Sequence, residues 1–150
     1  MGLANRVYLG PTSTDLTLSL LMCNQARIKP GSLVLDPFIG TGSLLVTAHR
    51  LGGIGFGVDL DYRVLWGKGV GRLNQQSDYY QPEMKNFYPK IHLNFDQFGL
   101  ARPELLRADS TKLTLSPHCK FDAIVTDPPY GLRATSIKVT NYHKTLTSKH

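Results

Sequence analysis

Residues 33–42 read LVLDPFIGTG, and this stretch decides the fold. Its first three residues form a short apolar run that is typical of a buried strand, and Asp36 stands where that strand ends. Gly40 and Gly42 allow the backbone to approach a ligand closely, and the apolar positions of residues 44–51 then follow helical spacing. A strand, a glycine loop and a helix in this order form the arrangement that cradles a phosphate or a nucleotide.

A second strand is predicted at residues 54–58, directly after the pair Gly52-Gly53 that ends the helix. It closes with Asp59, and an acid at this place is positioned to accept hydrogen bonds from both hydroxyls of an adenosine ribose. A dinucleotide-binding loop of the NAD type carries a third glycine, but Leu45 holds that place here. The spacing therefore indicates an adenosine ligand and argues against NAD.

Two further strands complete the predicted sheet. Leu105-Leu106 begins the third, which ends near Asp109, and residues 123–126 form the fourth, which ends at Asp127. Because helices separate the strands, the chain is predicted to be an α/β protein with a doubly wound, mostly parallel, Rossmann-like sheet. Parallel strands end at one rim of such a sheet, where ligands bind. Four acids are expected at that rim: Asp36, Asp59, Asp109 and Asp127.

The fourth strand runs into Asp127-Pro128-Pro129-Tyr130. Two consecutive prolines have a fixed φ and no backbone N–H, so this segment is stiff and its carbonyls are held in place. The Asp127 carboxylate and a proline carbonyl can accept the two hydrogens of a planar amino group while Tyr130 stacks on its ring, as in enzymes that act on an extruded base. A strand that simply ends at prolines and a turn acid is the alternative.

Before the first strand, residues 6–11 are extended in character. Thr12, with Asp15 three residues later, resembles a capping box and predicts that a helix starts there. The apolar face of this helix is predicted to contain Leu16, Leu20, Leu21 and Cys23.

Three segments separate the second and third strands. Residues 62–76 have a helical pattern, although three glycines weaken it. Residues 77–90 are predicted to be a loop or insertion whose aromatic side chains pack into a hydrophobic cluster rather than stack on nucleic acid. Residues 91–98 have the pattern of a short amphipathic helix that Gly99 ends.

The composition is that of one globular domain, with 150 residues, 41% of them apolar and 19% charged. No apolar stretch approaches the roughly 20 residues of a membrane span, and no export signal opens the chain, so a cytoplasmic protein is expected. Cys23 and Cys119 lack metal-ligand spacing, and His118 beside Cys119 does not change this. Ordinary thiols and no metal site are expected.

The net charge of +6 is concentrated after Tyr130. Residues 131–150 contain Arg133 and three lysines but no acid, and we expect them to form a loosely ordered basic tail. A basic end beside the site suits a phosphate-bearing substrate, although a solvated tail has the same composition.

Three motifs together resemble those of one enzyme family. They are YLGPTSTD at residues 8–15, DPFIGTG at 36–42 and DPPYG at 127–131. They are similar to the motifs of class I S-adenosylmethionine-dependent amino-methyltransferases, and most resemble the tRNA guanosine 2-amino methyltransferases that act at position ten of tRNA. The resemblance implies methyl transfer from S-adenosylmethionine to the exocyclic amino group of guanosine. It also implies tRNA and a small activating subunit as partners.

The resemblance further implies roles for single residues. Asp59 would take the ribose hydroxyls of the cofactor, and Asp109 would lie by its adenine amino group. Asp127 and the Pro128 carbonyl would bind the target amine, with Tyr130 stacked on the base. The residues that would line the methionine part of the cofactor are Asp36, Gly40, Thr41 and Gly42.

The chain departs from the family pattern in two respects. The family carries an RNA-binding THUMP region before its catalytic domain, and nothing in this sequence corresponds to it. The family's catalytic sheet has seven strands, whereas four are predicted here. We therefore expect residues 1–150 to be a single partial catalytic domain, truncated after the fourth strand.

Two other functions are compatible with these residues. The same chemistry serves methyltransferases of DNA adenine or cytosine and of protein glutamine, which also use an acid or Asn before two prolines and an aromatic. The basic tail and the stretch at residues 8–15 favour RNA over these substrates. A catalytically inactive fragment that binds nucleic acid or a partner is the second alternative, favoured by the missing strands.

Overall fold

The computed structural model describes residues 5–11, 13–116 and 118–130. Thr12 of the predicted capping box and the predicted basic tail, residues 131–150, lie outside them. In chain order the strands and α-helices are β1 (Tyr8–Leu9), α1 (Leu16–Gln25), β2 (Leu33–Asp36), α2 (Ser43–Arg50), β3 (Ile54–Asp59), α3 (Tyr62–Trp66), β4 (Arg72–Leu73), α4 (His92–Gln97), β5 (Glu104–Arg107) and β6 (Ala123–Ile124). Short 3-10 helices span Pro82–Asn86 and Ser110–Lys112.

The main sheet is parallel, as the sequence predicts, and within the described residues its strand order is β5-β3-β2-β6. The chain moves outward from β2 through β3 to β5 and then returns to the other side of β2 with β6. Such a reversal of strand order is the point at which doubly wound sheets bind ligands. Here it lies between the strand that ends in Asp36 and the strand that leads to Asp127.

Strands β5 and β6 are shorter than predicted. β6 pairs with β2 only at Ala123 and Ile124, although the N–H of Val125 still donates to the carbonyl of Leu35 at 3.0 Å. β5 ends at Arg107, and Asp109 instead caps the 3-10 helix that follows. In both segments the regular strand pairing stops before the ligand-binding rim. Asp109 and Asp127 therefore lie after the ends of their strands and not within the sheet.

Helix α2 packs on the sheet and forms the centre of the core. Leu44, Leu45, Val46 and Ala48 are buried in it. His49 is also buried, and its Nε2 accepts a hydrogen bond of 2.7 Å from the N–H of Gly55 in β3. The apolar face predicted after the glycine loop is thus correct.

Helix α1 begins at Leu16, because the Asp15 carboxylate accepts hydrogen bonds from the N–H groups of Thr17 and Leu18. The predicted start at Thr12 is therefore wrong. The predicted apolar face is wrong in part, since Leu20 and Leu21 are 37% and 55% exposed. The helix instead packs on α2 with small side chains, because its buried residues are Ser19 and Cys23.

The predicted helix over residues 62–76 is also wrong beyond its first turns. α3 ends at Trp66, where Gly67 adopts a left-handed φ of 75°. After further glycines the chain returns as β4, which pairs antiparallel with β1. A Cβ on Gly71 would lie 2.4 Å from ring atoms of Tyr8, so the close approach of these two segments requires glycine.

The segment between β4 and β5 packs on the N-terminal strand. Met84 and Leu93 form a small hydrophobic cluster with Val7, against which the aromatic side chains of residues 79, 80 and 87 pack. Asn94 in α4 accepts a hydrogen bond from the N–H of Tyr8 and donates one to its carbonyl, both at 2.9 Å. The predictions of a hydrophobic cluster in the insertion and of a short amphipathic helix after it are confirmed.

No helix among residues 5–11, 13–116 and 118–130 has the length and apolar character needed to cross a membrane. Cys23 and Cys119 are free thiols. In the same part of the chain, no three His, Cys, Asp or Glu side chains are grouped in a way that would hold a metal ion.

Candidate active site

Asp36 lies at the end of β2 with only 1% of its surface exposed. Its carboxylate accepts a hydrogen bond of 3.1 Å from the N–H of Phe38. Burial, with a smaller contribution from the nearby charges of Asp59 and Asp127, raises the pKa of this carboxyl group to about 7, although the hydrogen bond from Phe38 acts in the opposite direction. A buried acid that titrates near neutral pH is a property of functional sites.

Asp59 ends the neighbouring strand β3 and holds the glycine loop. Its carboxylate accepts hydrogen bonds from the N–H of Gly40 at 3.0 Å and from the N–H of Asp61 at 2.9 Å. Burial raises the pKa of Asp59, although these backbone bonds act in the opposite direction. The sequence predicted that Asp59 binds the ribose hydroxyls of a ligand. It did not predict that Asp59 also holds the glycine loop through Gly40.

The glycine loop presents polar groups without partners of their own. Gly40 and Gly42 have positive φ values of 54° and 85°, and Gly42 is the N-cap of α2. Because glycine has no side chain, it does not cap the first-turn N–H groups of that helix. Thr41 is 4% exposed, and its hydroxyl has no hydrogen-bond partner among the described residues.

These groups lie around an open cleft at the point where the strand order reverses. Its lining includes Ser13, Thr14, Asp36, Gly40, Thr41 and Asp127. The Thr14 hydroxyl donates a hydrogen bond of 3.2 Å to the Asp127 carboxylate, which joins the N-terminal segment to the end of β6. The structure thus brings Asp127 beside three of the residues predicted to hold the methionine part of a cofactor.

Pro128 and Tyr130 follow Asp127 outside the lining of this cleft, and both are exposed. Tyr130 has 78% of its surface exposed, so its ring is accessible to a planar ligand. The predicted stacking role needs such access, but no contact within the described residues fixes the ring.

Asp109 lies next to the acids of the cleft but outside its lining. The N–H of Ala108 donates to the carbonyl of Asp59 at 3.2 Å, and the Ser110 hydroxyl donates to the carbonyl of Pro37. Asp109 is only partly exposed, and its carboxylate accepts hydrogen bonds from Thr111, which hold its pKa below the usual range. Asp109 thus lies at the predicted rim of the sheet, on the far side of Asp59 from Asp36, and its contact with adenine stays a prediction.

The sequence predictions missed four polar side chains around the cleft, one of which is Thr14. Ser13 and Ser43 line it, and Arg6 donates a hydrogen bond to each of their hydroxyls. Ser13 belongs to the motif at residues 8–15, whereas no pattern in the sequence distinguishes Arg6.

Comparison with curated proteins gives close similarity to one group of enzymes. The chain is 39% identical over 135 residues to the tRNA (guanine(10)-N(2))-methyltransferase TRMT11 of Xenopus laevis, covering 89% of the chain and 27% of that protein. It is 37% identical over 139 residues to the tRNA (guanine(10)-N(2))-methyltransferase of Saccharomyces cerevisiae, covering 91% of the chain and 28% of that protein. The chain therefore spans little more than a quarter of the length of these relatives.

Solved structures support the predicted fold class. The methyltransferase subunit of a type I restriction-modification system from Streptococcus thermophilus matches 81% of this chain and 24% of its own, with a TM-score of 0.52 at 22% identity. TrmN from Thermus thermophilus matches 82% of this chain and 31% of its own, with a TM-score of 0.51 at 22% identity. No family model matches the chain. The α/β, Rossmann-like methyltransferase fold is confirmed.

Proposed function

We infer that this chain belongs to the tRNA guanine N2-methyltransferases and forms part of a catalytic domain that methylates the exocyclic amino group of guanosine in tRNA. The supporting similarity to curated enzymes of that activity extends over about nine-tenths of the chain. The observation that carries the proposal is that one cleft contains both the glycine loop with Asp36 and the amine-binding candidate Asp127. A cofactor and a substrate amine would meet there.

The residues of the cleft, together with Asp59, which lies outside its lining and bonds to Gly40, fit S-adenosylmethionine. That cofactor carries a sulfonium and an ammonium cation, which suit the buried acid Asp36. Its adenosine hydroxyls suit Asp59, whose carboxylate retains acceptor capacity beyond its two backbone bonds. The unpartnered hydroxyl of Thr41 and the uncapped start of α2 offer donors to the remaining polar end of the ligand. When bound, S-adenosylmethionine supplies an electrophilic methyl group.

The amino group of guanosine would be held by residues that follow β6. Its lone pair is delocalised into the base, so acceptors for its two N–H bonds raise the electron density available for attack. The Asp127 carboxylate and the Pro128 carbonyl are such acceptors, and the bond from Thr14 fixes the direction of the carboxylate. Holding the amine in a fixed position for methyl transfer would then contribute most of the rate. The accessible ring of Tyr130 would stack on the base.

The test is methyl transfer by the full-length protein from labelled S-adenosylmethionine to tRNA. We expect N2-methylguanosine in the digested tRNA, and no label in a matched tRNA that carries inosine at the accepting position, because inosine lacks the 2-amino group. Label in DNA adenine or cytosine, or in a protein glutamine, would show that the substrate is not guanosine in tRNA. Cofactor binding without transfer to any of these would indicate an inactive relative.

Two narrower expectations from the sequence stay predictions. One is the small activating subunit, which co-purification with the full-length protein would detect. The other is a cytoplasmic location, which imaging of the tagged full-length protein would test.

A further inference from the structure

Arg6 is a buried cation directly behind the cleft. Only 1% of its surface is exposed. Its guanidinium donates hydrogen bonds to the Ser43 hydroxyl at 2.6 Å and to the Ser13 hydroxyl at 2.9 Å. Burial lowers the pKa of Arg6 to about 10, which still leaves the group charged at neutral pH. Because burying a charge costs several kcal/mol in general, a buried guanidinium needs polar partners, and the hydroxyls of Ser13 and Ser43 are two of them.

The two hydrogen bonds determine what Ser13 and Ser43 can do. A guanidinium has donors and no acceptor, so each serine oxygen must act as the acceptor. Each hydroxyl hydrogen is then directed away from Arg6. Both serines line the cleft, so these hydrogens are available to a ligand inside it. Bonds from a charged donor also polarise the hydroxyls and strengthen them as donors.

Other groups make the same end of the cleft suitable for an anion. α2 begins at Ser43 with uncapped N–H groups and the positive end of its dipole. The buried Thr41 hydroxyl lines the cleft and has no partner within the described part of the chain. The cleft also contains the acids Asp36 and Asp127, which attract a cation. Donors and acids in one cleft match the carboxylate and the ammonium of an α-amino acid.

We propose that Arg6 is a positioning residue that orients the hydroxyls of Ser13 and Ser43 towards the cleft and thereby selects a cofactor that carries an amino-acid carboxylate. This inference rests on the proposed function, because it assigns that carboxylate to the methionine part of S-adenosylmethionine. Arg6 touches the serines and acts on the ligand through them.

The experiment compares two ligands by calorimetry on the full-length protein. S-Adenosylhomocysteine has the amino-acid group, whereas 5′-methylthioadenosine lacks it but keeps the adenosine. For Arg6→Gln we expect the affinity for S-adenosylhomocysteine to fall about tenfold or more, and that for 5′-methylthioadenosine to stay the same. Ser13→Ala, at an exposed residue that should fold normally, is expected to give a smaller loss with the same selectivity. Ser116→Ala, outside the cleft, is the matched control.

Equal affinity losses for both ligands in Arg6→Gln, together with no selective loss in Ser13→Ala, would show that Arg6 has only a structural role and would overturn the proposal. Unchanged affinities in both variants would overturn it as well. If the unsubstituted protein bound neither ligand, the cofactor assignment itself would be wrong. That outcome is distinct, because it does not depend on any substitution.

Discussion

The side-chain amide of Asn94 donates a hydrogen bond to the backbone carbonyl of Thr41 at 3.0 Å. The same side chain exchanges two hydrogen bonds with the backbone of Tyr8, and it is fully buried. One residue of α4 therefore connects the N-terminal strand β1 to the glycine loop of the site.

We expect Asn94→Leu to lower the free energy of unfolding by about 2 to 4 kcal/mol, because it leaves three buried backbone groups without partners. Urea unfolding measures the change. Asn86→Leu, the same substitution at an exposed position, is the control and should have little effect. Similar stability for the two variants would show that Asn94 does not connect these segments.

Asp59 is expected to contribute both to loop geometry and to cofactor affinity. Asp59→Ala should weaken S-adenosylmethionine binding by about 1 to 3 kcal/mol, the usual effect of losing charge-assisted hydrogen bonds. The amide of Gly40, which donates to this carboxylate, should also exchange faster with solvent. Calorimetry and hydrogen exchange measure these effects, with the exposed Asp78→Ala as control. An unchanged affinity would remove Asp59 from the site.

Cofactor affinity should depend on pH through Asp36. Its pKa of about 7 in the folded protein means that the carboxyl group is largely protonated below neutral pH. A cationic ligand favours the ionised form, so affinity for S-adenosylmethionine should rise from pH 6 to pH 8. Asp36→Asn should remove most of this rise. Parallel pH profiles for the two proteins, measured by calorimetry, would contradict the role of Asp36 as counter-charge.

His49 should make stability depend on pH in the opposite sense to Asp36. Burial lowers the pKa of His49, and its Nε2 must be unprotonated to accept from the N–H of Gly55. A base with a lowered folded pKa stabilises the protein above its unfolded pKa of about 6.5, and this stabilisation is lost as pH falls towards the folded pKa. The raised pKa of Asp36 acts conversely, since its contribution is lost as pH rises through about 7.

The prediction is therefore a difference between two proteins. The stability advantage of the unsubstituted protein over His49→Gln should shrink as pH falls below about 6.5, because only the former must release a proton on folding. Urea unfolding at several pH values measures it, with His118→Gln at an exposed position as control. A constant advantage across this range would be inconsistent with a neutral, buried His49.

The strands around the site were predictable because each is a local apolar run that ends in an acid. LVLD at residues 33–36 and the glycines after it specify strand, loop and helix without reference to the rest of the chain. The parallel order then places Asp127 beside Asp36. The segments that failed are those determined by tertiary contacts. The ring of Tyr8 lies so close to residue 71 that only glycine fits there. Residues 72–73, predicted to be helical, instead form the strand β4, which pairs with β1.

Site residues that contact each other although they are far apart in the sequence were missed for the same reason. Arg6 and Ser43 are separated by 37 positions, and no spacing rule connects them. Leu20 and Leu21 were expected inside, yet the packing of α1 on α2 selects Ser19 and Cys23. The spacing of large apolar residues therefore predicts the buried face of a helix only approximately when small residues form the helix–helix contact.

The central claim, that Asp127 holds the substrate amine while a separate part of the cleft holds the cofactor, is tested most directly by Asp127→Ala in the full-length protein. Methyl transfer to guanosine in tRNA should fall by about a hundredfold or more, as when a positioned acceptor of the transition state is lost. The affinity for S-adenosylhomocysteine should stay nearly unchanged, and Asp78→Ala should retain both properties. Transfer by Asp127→Ala at close to the original rate would contradict the account.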